Sequence, residues 1–487
     1  MRVLFSAETP LSLTTFQSVL RLLGQHGHEV VVAVHEEREA VWRDSLLDSI
    51  VGDAPNVVVE PAVDPGPDRW LELAADIRSA LDVVQFLDPR FNETYRERAW
   101  RRAPRPAARL ARTRLARLPL ARKAAAASLR IAERAVTTNG EIERYLASHR
   151  PDVVLFTPYV GLRTIQPDFL RAAQALGLRT GICVKSWDNL SSKSLIRPIP
   201  DRVFVWNEMQ REEAVTLHSI PPARVVVTGA QCFDEWFTWS PRSREEFCGR
   251  VGLDPHRPLL LYACSVPWTR QSEVDFVRRW VRAIRAAGGP LAGAGVLVRP
   301  HPKRPQDWAH NPLSDLPGVV VYPSEGHAPT DDASKADYYD SIYHSAAVVA
   351  LNTSAMIEAA IVGRPVLTVL DPEFHRIQAG TLHFRYLLEV GGGLLGVART
   401  LDEHMGQLAA AVAQAGGSAG AERFVAEFVR PLGLDVPGTP IFVDAIERLA
   451  EAPAPRPRRT PPPLLPLRPL LAPLASRAGR HAAITEG

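Results

Sequence analysis

The chain has 487 residues, with 57 Lys and Arg against 54 Asp and Glu, a formal charge of +3. That length exceeds one ordinary core and provides for two domains. The near-neutral balance excludes a chain built as a whole around nucleic-acid phosphates. No run of about 18 apolar residues is present to span a bilayer, and Met1-Arg-Val-Leu-Phe5 leads into a strand pattern rather than a signal peptide. The four cysteines, Cys183, Cys232, Cys248 and Cys264, lack CxxC spacing. They fit reduced thiols in a cytosolic protein better than disulfides or a zinc site.

In chain order, residues 2–6 predict a short buried strand followed by a polar loop. Thr14 and Gln17 have capping-box spacing ahead of a helix carrying Phe16, Val19, Leu20 and Leu23, with Gly27 placed to end it. Residues 29–34 predict the next strand, so the opening is a βαβ unit of a parallel sheet. Residues 96–134 hold 13 Arg and Lys but two acids, with Pro104, Pro106 and Pro119 interrupting the helical pattern. This basic insertion, about 93–135, reads either as a solvated helical layer or as a surface for anionic lipid or a charged acceptor.

The βα alternation resumes with strands at 152–156, 180–184, 202–206 and 224–228 and helices at 168–176, capped by Asp168, and 208–218. A linker is expected at 236–256. A second α/β unit follows, with strands at 259–263, 295–299, 319–322, 346–351 and 365–369 and helices at 271–287, 335–344 and 355–362. Residues 401–449 are mostly helical in pattern, and the Pro/Arg-rich end is expected to be disordered. The fold class is therefore α/β, with two Rossmann-like, doubly wound parallel-sheet domains facing a cleft. Their expected limits are 1–240 and 256–450, with a tail at 451–487.

Five segments could carry chemistry. In Asn352-Thr-Ser-Ala-Met-Ile-Glu358 a buried strand gives way to a helix opened by Thr353 and Ser354. A helix start suits phosphate, and Glu358, one turn on, could accept bonds from ribose hydroxyls. In Arg299-Pro-His301-Pro, also at a strand end, Arg299 and His301 offer phosphate donors, and His301 could protonate a leaving oxygen. In the loop from Lys185 to Lys193, Trp187 could stack on a sugar or base and Asp188 could orient a hydroxyl. An Asx turn beside a packed Trp is the other reading. Glu8, just past the first strand, is either a catalytic base or a solvated carboxylate. Gln378, Thr381 and His383 are polar candidates to close over a donor sugar, or members of a structural loop. No GxGxxG after the first strand, GxxxxGK[ST], HExxH or convincing Asp-x-Asp pair is present, and no strand pattern leads into a GxSxG elbow of the hydrolase kind. Asp331-Asp332 is a weak metal candidate in a polar turn.

With these motifs in place, the chain resembles the GT-B glycosyltransferases of bacterial envelope and capsule synthesis, in the UDP-glycosyltransferase/glycogen phosphorylase-like superfamily. The resemblance spans about residues 1–450 and rests on Arg299-Pro-His301-Pro and on the helix start from Asn352 to Pro365. The opening segment through Leu22-Leu-Gly-Gln-His-Gly-His-Glu-Val30 adds weaker support. It implies that Arg299, His301, Thr353 and Ser354 contact the donor's phosphates and that Glu358 holds the ribose. The chain departs from the family where a glycine-rich loop is replaced by Ser6-Ala-Glu-Thr-Pro-Leu-Ser12, which leaves Glu8 as the candidate base ahead of Asp188. Lys185 and Trp187 remain sugar or acceptor candidates.

The expected activity is metal-independent transfer of a sugar from a nucleotide-sugar co-substrate, with no cofactor, to a glycan or lipid-linked acceptor in the cytoplasm. Peripheral contact with the anionic inner face of the membrane is expected, and nucleic acid is not a partner. A polyol-phosphate transferase, a GT-B-fold nucleotide-sugar epimerase and a non-catalytic carbohydrate-binding module are the alternatives.

Overall fold

The strands form where runs of Val, Leu, Ile and Phe let both sheet faces be covered by helices, as parallel sheets require. In a computed structural model of the chain, the described residues are 1–35, 54–89, 91, 93–114, 116, 118–161, 163–265, 272–310, 312–326, 328–413 and 419–485. They divide into two units, one of Met1–Cys232 with Pro437–Gly487 and the other of Phe233–Val436.

The first unit holds β1 (Arg2–Ala7), β2 (Glu29–Val34), β3 (Val57–Pro61), β4 (Val153–Thr157), β5 (Arg179–Cys183), β6 (Arg202–Val205) and β7 (Val225–Val227). Their order is β3-β2-β1-β4-β5-β6-β7, and every pair is parallel. Alternate side chains serve opposite faces. Val3 and Phe5 pack with the helices Gln17–Gln25 and Gly438–Glu451, whereas Leu4, Val154 and Phe156 pack with Gly140–His149 and Gln166–Ala175. Phe16 bridges the first face, with ring centroids 5.4 Å from Phe5 and 5.9 Å from Phe442.

Several expectations are corrected here. The Gly438–Glu451 helix belongs to the first unit rather than ending the second, because its apolar face (Phe442, Val443, Ile446, Leu449) completes the first sheet's cover. The tail carries a helix, Arg468–Thr485, whose Ala475 is buried with Leu73, Ala74, Ile77 and Leu81, and Arg468 lies over the Trp70 ring at 4.7 Å. Thr14 does not open the first helix. It lies in a 3-10 turn, Pro10–Phe16, and its hydroxyl donates to the Leu11 carbonyl. Asp168 caps nothing and instead pairs with Arg78 inside the unit.

The basic insertion is helical, with Glu93–Arg102, Arg105–Ala111 and Pro119–Ala135 packed on Arg69–Phe86. Pro106 and Pro119 sit in first turns, where their missing N–H costs nothing. A buried ionic cluster joins this layer to the sheet. Arg78 donates to both Asp168 oxygens at 3.0 and 2.6 Å, Arg197 lies 3.1 Å from Asp82, and Glu133 lies 3.8 Å from each arginine. Burial opposes every one of these charges, so each depends on its partners.

The second unit holds β8 (Leu259–Ala263), β9 (Gly295–Arg299), β10 (Val319–Val321), β11 (Ala347–Val349), β12 (Val366–Val369) and β13 (Leu395–Ala398), ordered β10-β9-β8-β11-β12-β13 and parallel throughout. The short, partly exposed β13 gave no strand signal in the sequence. The expected helix at 271–287 is Val274–Ala286, and residue 271 lies outside the described residues.

Arg78→Met would strand Asp168 and Glu133 as buried charges. The expected loss is about 3–5 kcal/mol in chemical denaturation. A loss under about 1 kcal/mol would show that the cluster is not what holds the helical layer.

Candidate functional site

In an open parallel sheet, ligand crevices lie at the carboxyl ends of strands where the strand order reverses. In the second unit that point falls between β8 and β11. Ser265, beyond β8, accepts the Asn352 N–H from beyond β11 at 2.9 Å. The Ser265 N–H in turn donates to Glu273 at 2.9 Å, and the Tyr262 hydroxyl donates to the same carboxylate at 2.8 Å. Burial pushes Glu273 up to about 7, against the pull of these hydrogen bonds.

The adjoining β9 ends in Arg299. Its guanidinium is buried under the Tyr338 ring, 4.7 Å from the centroid, and it donates to the Asp337 carbonyl at 3.4 Å. The Tyr338 hydroxyl donates to Glu358. Burial raises Glu358 to about 7, while the Tyr338 hydrogen bond and the Arg299 charge pull it down. A guanidinium, a ring and a carboxylate thus tie the end of β9 to the helix that follows β11.

The helix bearing Tyr338, Asp332–Tyr343, is held by the residue before it. Asp337 takes ion pairs from Arg242 and, at 3.1 Å, from Arg250, together with the Tyr322 hydroxyl. Burial raises the Asp337 carboxylate, but these donors outweigh burial and hold it below its ordinary value. Asp331, a weak metal candidate from its sequence, is the helix's capping-box residue, with Ser334 as its reciprocal partner.

His301 follows Arg299 in a loop and accepts the Lys303 N–H on Nδ1 at 3.1 Å. Burial, then the Lys303 charge, lowers it to about 4. At neutral pH it is an uncharged ring with its proton on Nε2. That makes it a hydrogen-bond donor and a poor proton source for a leaving oxygen. Ala355–Ile361 is a helix of seven residues, and Ser354 already has helical angles and caps nothing. The dipole of so short a helix is small. The hydroxyls of Thr353 and Ser354 make no hydrogen bond among the described residues, and Ser354 is exposed.

The expected sugar contacts are buried. Gln378 Nε2 donates to the Val369 carbonyl at 2.9 Å and lies within reach of Leu351 and Thr368. Thr381 caps Leu382–Glu389, and His383 Nε2 lies 3.2 Å from Asn352 Nδ2. Arg299 is likewise inside, under Tyr338, rather than offered to a phosphate. Bonds to β12 withdraw Gln378, and Thr381 is engaged by its own loop and helix start.

In the first unit the strand order reverses between β1 and β4, and Glu8 follows β1 there. Its N–H donates to the Thr157 carbonyl at 3.1 Å, and Gln166 Nε2 pins the Ser6 and Thr157 carbonyls at 3.0 and 2.8 Å. A Cβ at Gly161 would come within 2.7 Å of Glu8 Oε2, so glycine gives the carboxylate its room. In the loop after β5, Lys185 donates to the Leu11 carbonyl at 3.1 Å, and Trp187 is buried. Asp188 accepts the Ser192 hydroxyl at 3.0 Å.

Among the described residues, one group has metal-ligand character, His26, His28 and Glu447 at the amino edge of this sheet. Each ring lies 2.8 Å from Glu447 Oε1. No disulfide joins the four cysteines, and no described helix is long and apolar enough to cross a membrane.

No protein-family model matches the chain, and no curated protein matches it by sequence. Solved structures match over nearly its whole length. The UDP-GlcNAc 2-epimerase of Methanocaldococcus jannaschii is 11% identical, covering 92% of this chain and 100% of that one at a TM-score of 0.51. The Neisseria meningitidis UDP-GlcNAc 2-epimerase bound to UDP-GlcNAc gives 12% identity, 92% and 100% coverage and a TM-score of 0.50. A Rickettsia africae glycosyltransferase gives 10%, 92%, 98% and 0.50. At these identities the shared property is the architecture. The chain has the GT-B fold. Within this GT-B chain, sequence reading missed Ser265, Glu273 and Tyr338. Tyr338 sits in a helix of alternating acids and tyrosines, and only the sheet brings it to Glu358.

Carboxylate-resolved NMR titration should place the Glu358 midpoint near 7. Tyr338→Phe removes a hydrogen bond that stabilises the ionised form, so the midpoint moves up. An unchanged midpoint would show that the hydroxyl does not control this carboxylate.

Proposed function

We propose that this GT-B chain is a glycosyltransferase that moves a sugar from a nucleoside diphosphate donor to a glycan or lipid-linked acceptor. The observation that carries the reading is the grouping at the carboxyl edge of the second sheet. Two unengaged hydroxyls, an uncharged imidazole donor and a carboxylate fixed by Tyr338 belong to segments tied together there. In this reading Thr353, Ser354 and His301 Nε2–H receive the phosphates, and Glu358 accepts the ribose hydroxyls. Arg299 is a positioning residue acting through Tyr338 and Glu358. Neutral donors meet the charge that grows on the leaving diphosphate, so the transfer proceeds without a metal. Glu8, at the switch point of the first sheet, is the proposed base for the acceptor hydroxyl.

In calorimetry the wild type is expected to bind UDP. Glu358→Ala and His301→Ala should each weaken it by roughly ten-fold, on the order of 1.5 kcal/mol for one good hydrogen bond. Unchanged affinities in both variants would remove the site assignment. With UDP-sugars and an acceptor extract, the wild type should release UDP in step with glycosylated product. Glu8→Gln should lower that rate by about 10²–10⁴ with UDP affinity intact.

A second reading starts from the fold-level likeness to the Methanocaldococcus jannaschii and Neisseria meningitidis UDP-GlcNAc 2-epimerases. In that case UDP-GlcNAc alone, without acceptor, would be converted to its C2 epimer. CMP release from CDP-glycerol would indicate polyol-phosphate transfer instead.

A further inference from the structure

The helical insertion borders a half-open cavity of about 900 Å³ within the first unit. Four arginines, Arg96, Arg101, Arg112 and Arg122, line it together with Trp100 and Glu97. These guanidiniums are poorly neutralised. Glu97 lies 3.9 Å from Arg101, Asp88 lies 3.9 Å from Arg122, and no described carboxylate pairs with Arg96 or Arg112. Arg112 rests over the Trp100 ring at 5.5 Å. The buried cluster of the same unit differs sharply, since Arg78 and Arg197 there meet carboxylates at 2.6 and 3.1 Å. Arg96 Nε and Trp100 Nε1 are closed to water and have no acceptor among the described residues. Unmet buried donors are costly, and oxygens of a bound anion could relieve them after a small rotation.

Three exposed leucines neighbour cavity-lining residues in the chain. Leu110 is 58% exposed, Leu118 53% and Leu120 82%. They adjoin Ala111 and Pro119, which line the cavity. A site for a soluble phosphate compound gains nothing from three leucines held in water. A site at a bilayer surface gains from both features, since leucines enter the acyl boundary while arginines meet anionic headgroups.

We propose that this cavity receives the phosphate of an anionic membrane lipid, with Leu110, Leu118 and Leu120 seated in the bilayer surface around it. The inference is independent of the nucleotide reading of the second unit.

Flotation of the full chain with vesicles tests it. Wild type is expected to rise with phosphatidylcholine vesicles containing phosphatidylglycerol and to stay at the bottom with phosphatidylcholine alone. Arg112→Ala with Arg122→Ala should reduce the bound fraction by on the order of ten-fold, and Leu118→Ser with Leu120→Ser should also reduce it strongly. Arg102→Ala with Arg109→Ala, which removes two exposed charges outside the cavity, should change it less than about two-fold. The thermal melt should stay at the wild-type value in all three pairs.

If the outside pair loses as much binding as the cavity pair, the attraction is general charge and the proposal fails. It fails equally if the leucine pair floats like wild type. Saturable binding of inorganic phosphate at the cavity arginines, with no flotation on either vesicle, would assign the cavity to a soluble phosphate and overturn the lipid reading. Should the cavity pair not fold, the leucine pair and the outside pair still decide the question.

Discussion

Every strand pair in both sheets is parallel, and most of the functional geometry follows from that constraint. Parallel strands release the chain at one edge, so the residues just after each strand gather there whatever their separation in sequence. Ser265, His301 and Asn352 belong to three loops far apart in the chain, yet all leave the same sheet edge. The reversal of strand order opens a gap between neighbouring crossovers at β8 and β11. The bond from Asn352 N–H to Ser265 spans that gap and fixes the two loop starts relative to each other.

The second unit builds its candidate site by positioning one carboxylate. Glu358 is costly to ionise where it sits, and the Tyr338 hydroxyl and the Arg299 charge reduce that cost without removing it. Tyr338 can do this because Asp337, its neighbour, is clamped by Arg242, Arg250 and Tyr322. The helix is therefore held from one side by ion pairs and offers a hydroxyl on the other. His301 shows the same economy: one backbone N–H into Nδ1 settles which nitrogen carries the proton.

Arginine serves two opposite purposes in the first unit. Arg78 and Arg197 are buried against carboxylates and join the helical layer to the sheet. Arg96, Arg101, Arg112 and Arg122 surround an open volume with little counter-charge. The distinction lies in the distance to the nearest acid, and it separates a structural contact from a surface prepared for an anion.

Sequence by itself determined the α/β class, the two parallel sheets and most strands, because apolar runs bounded by Gly, Pro and polar loops carry a strong local signal. It also placed His301, Thr353, Ser354 and Glu358 just past strands of the second sheet, since strand-end position follows from that same pattern. It did not determine which side chains face outward. Arg299 and Gln378 read as exposed donors, but neighbouring elements bury both. Nor could it assign Gly438–Glu451 to the first unit, because an amphipathic helix shows that it needs a partner without showing which one. Tertiary packing decided those points: burial and pairing depend on what lies across the interface, and local sequence does not encode that neighbour.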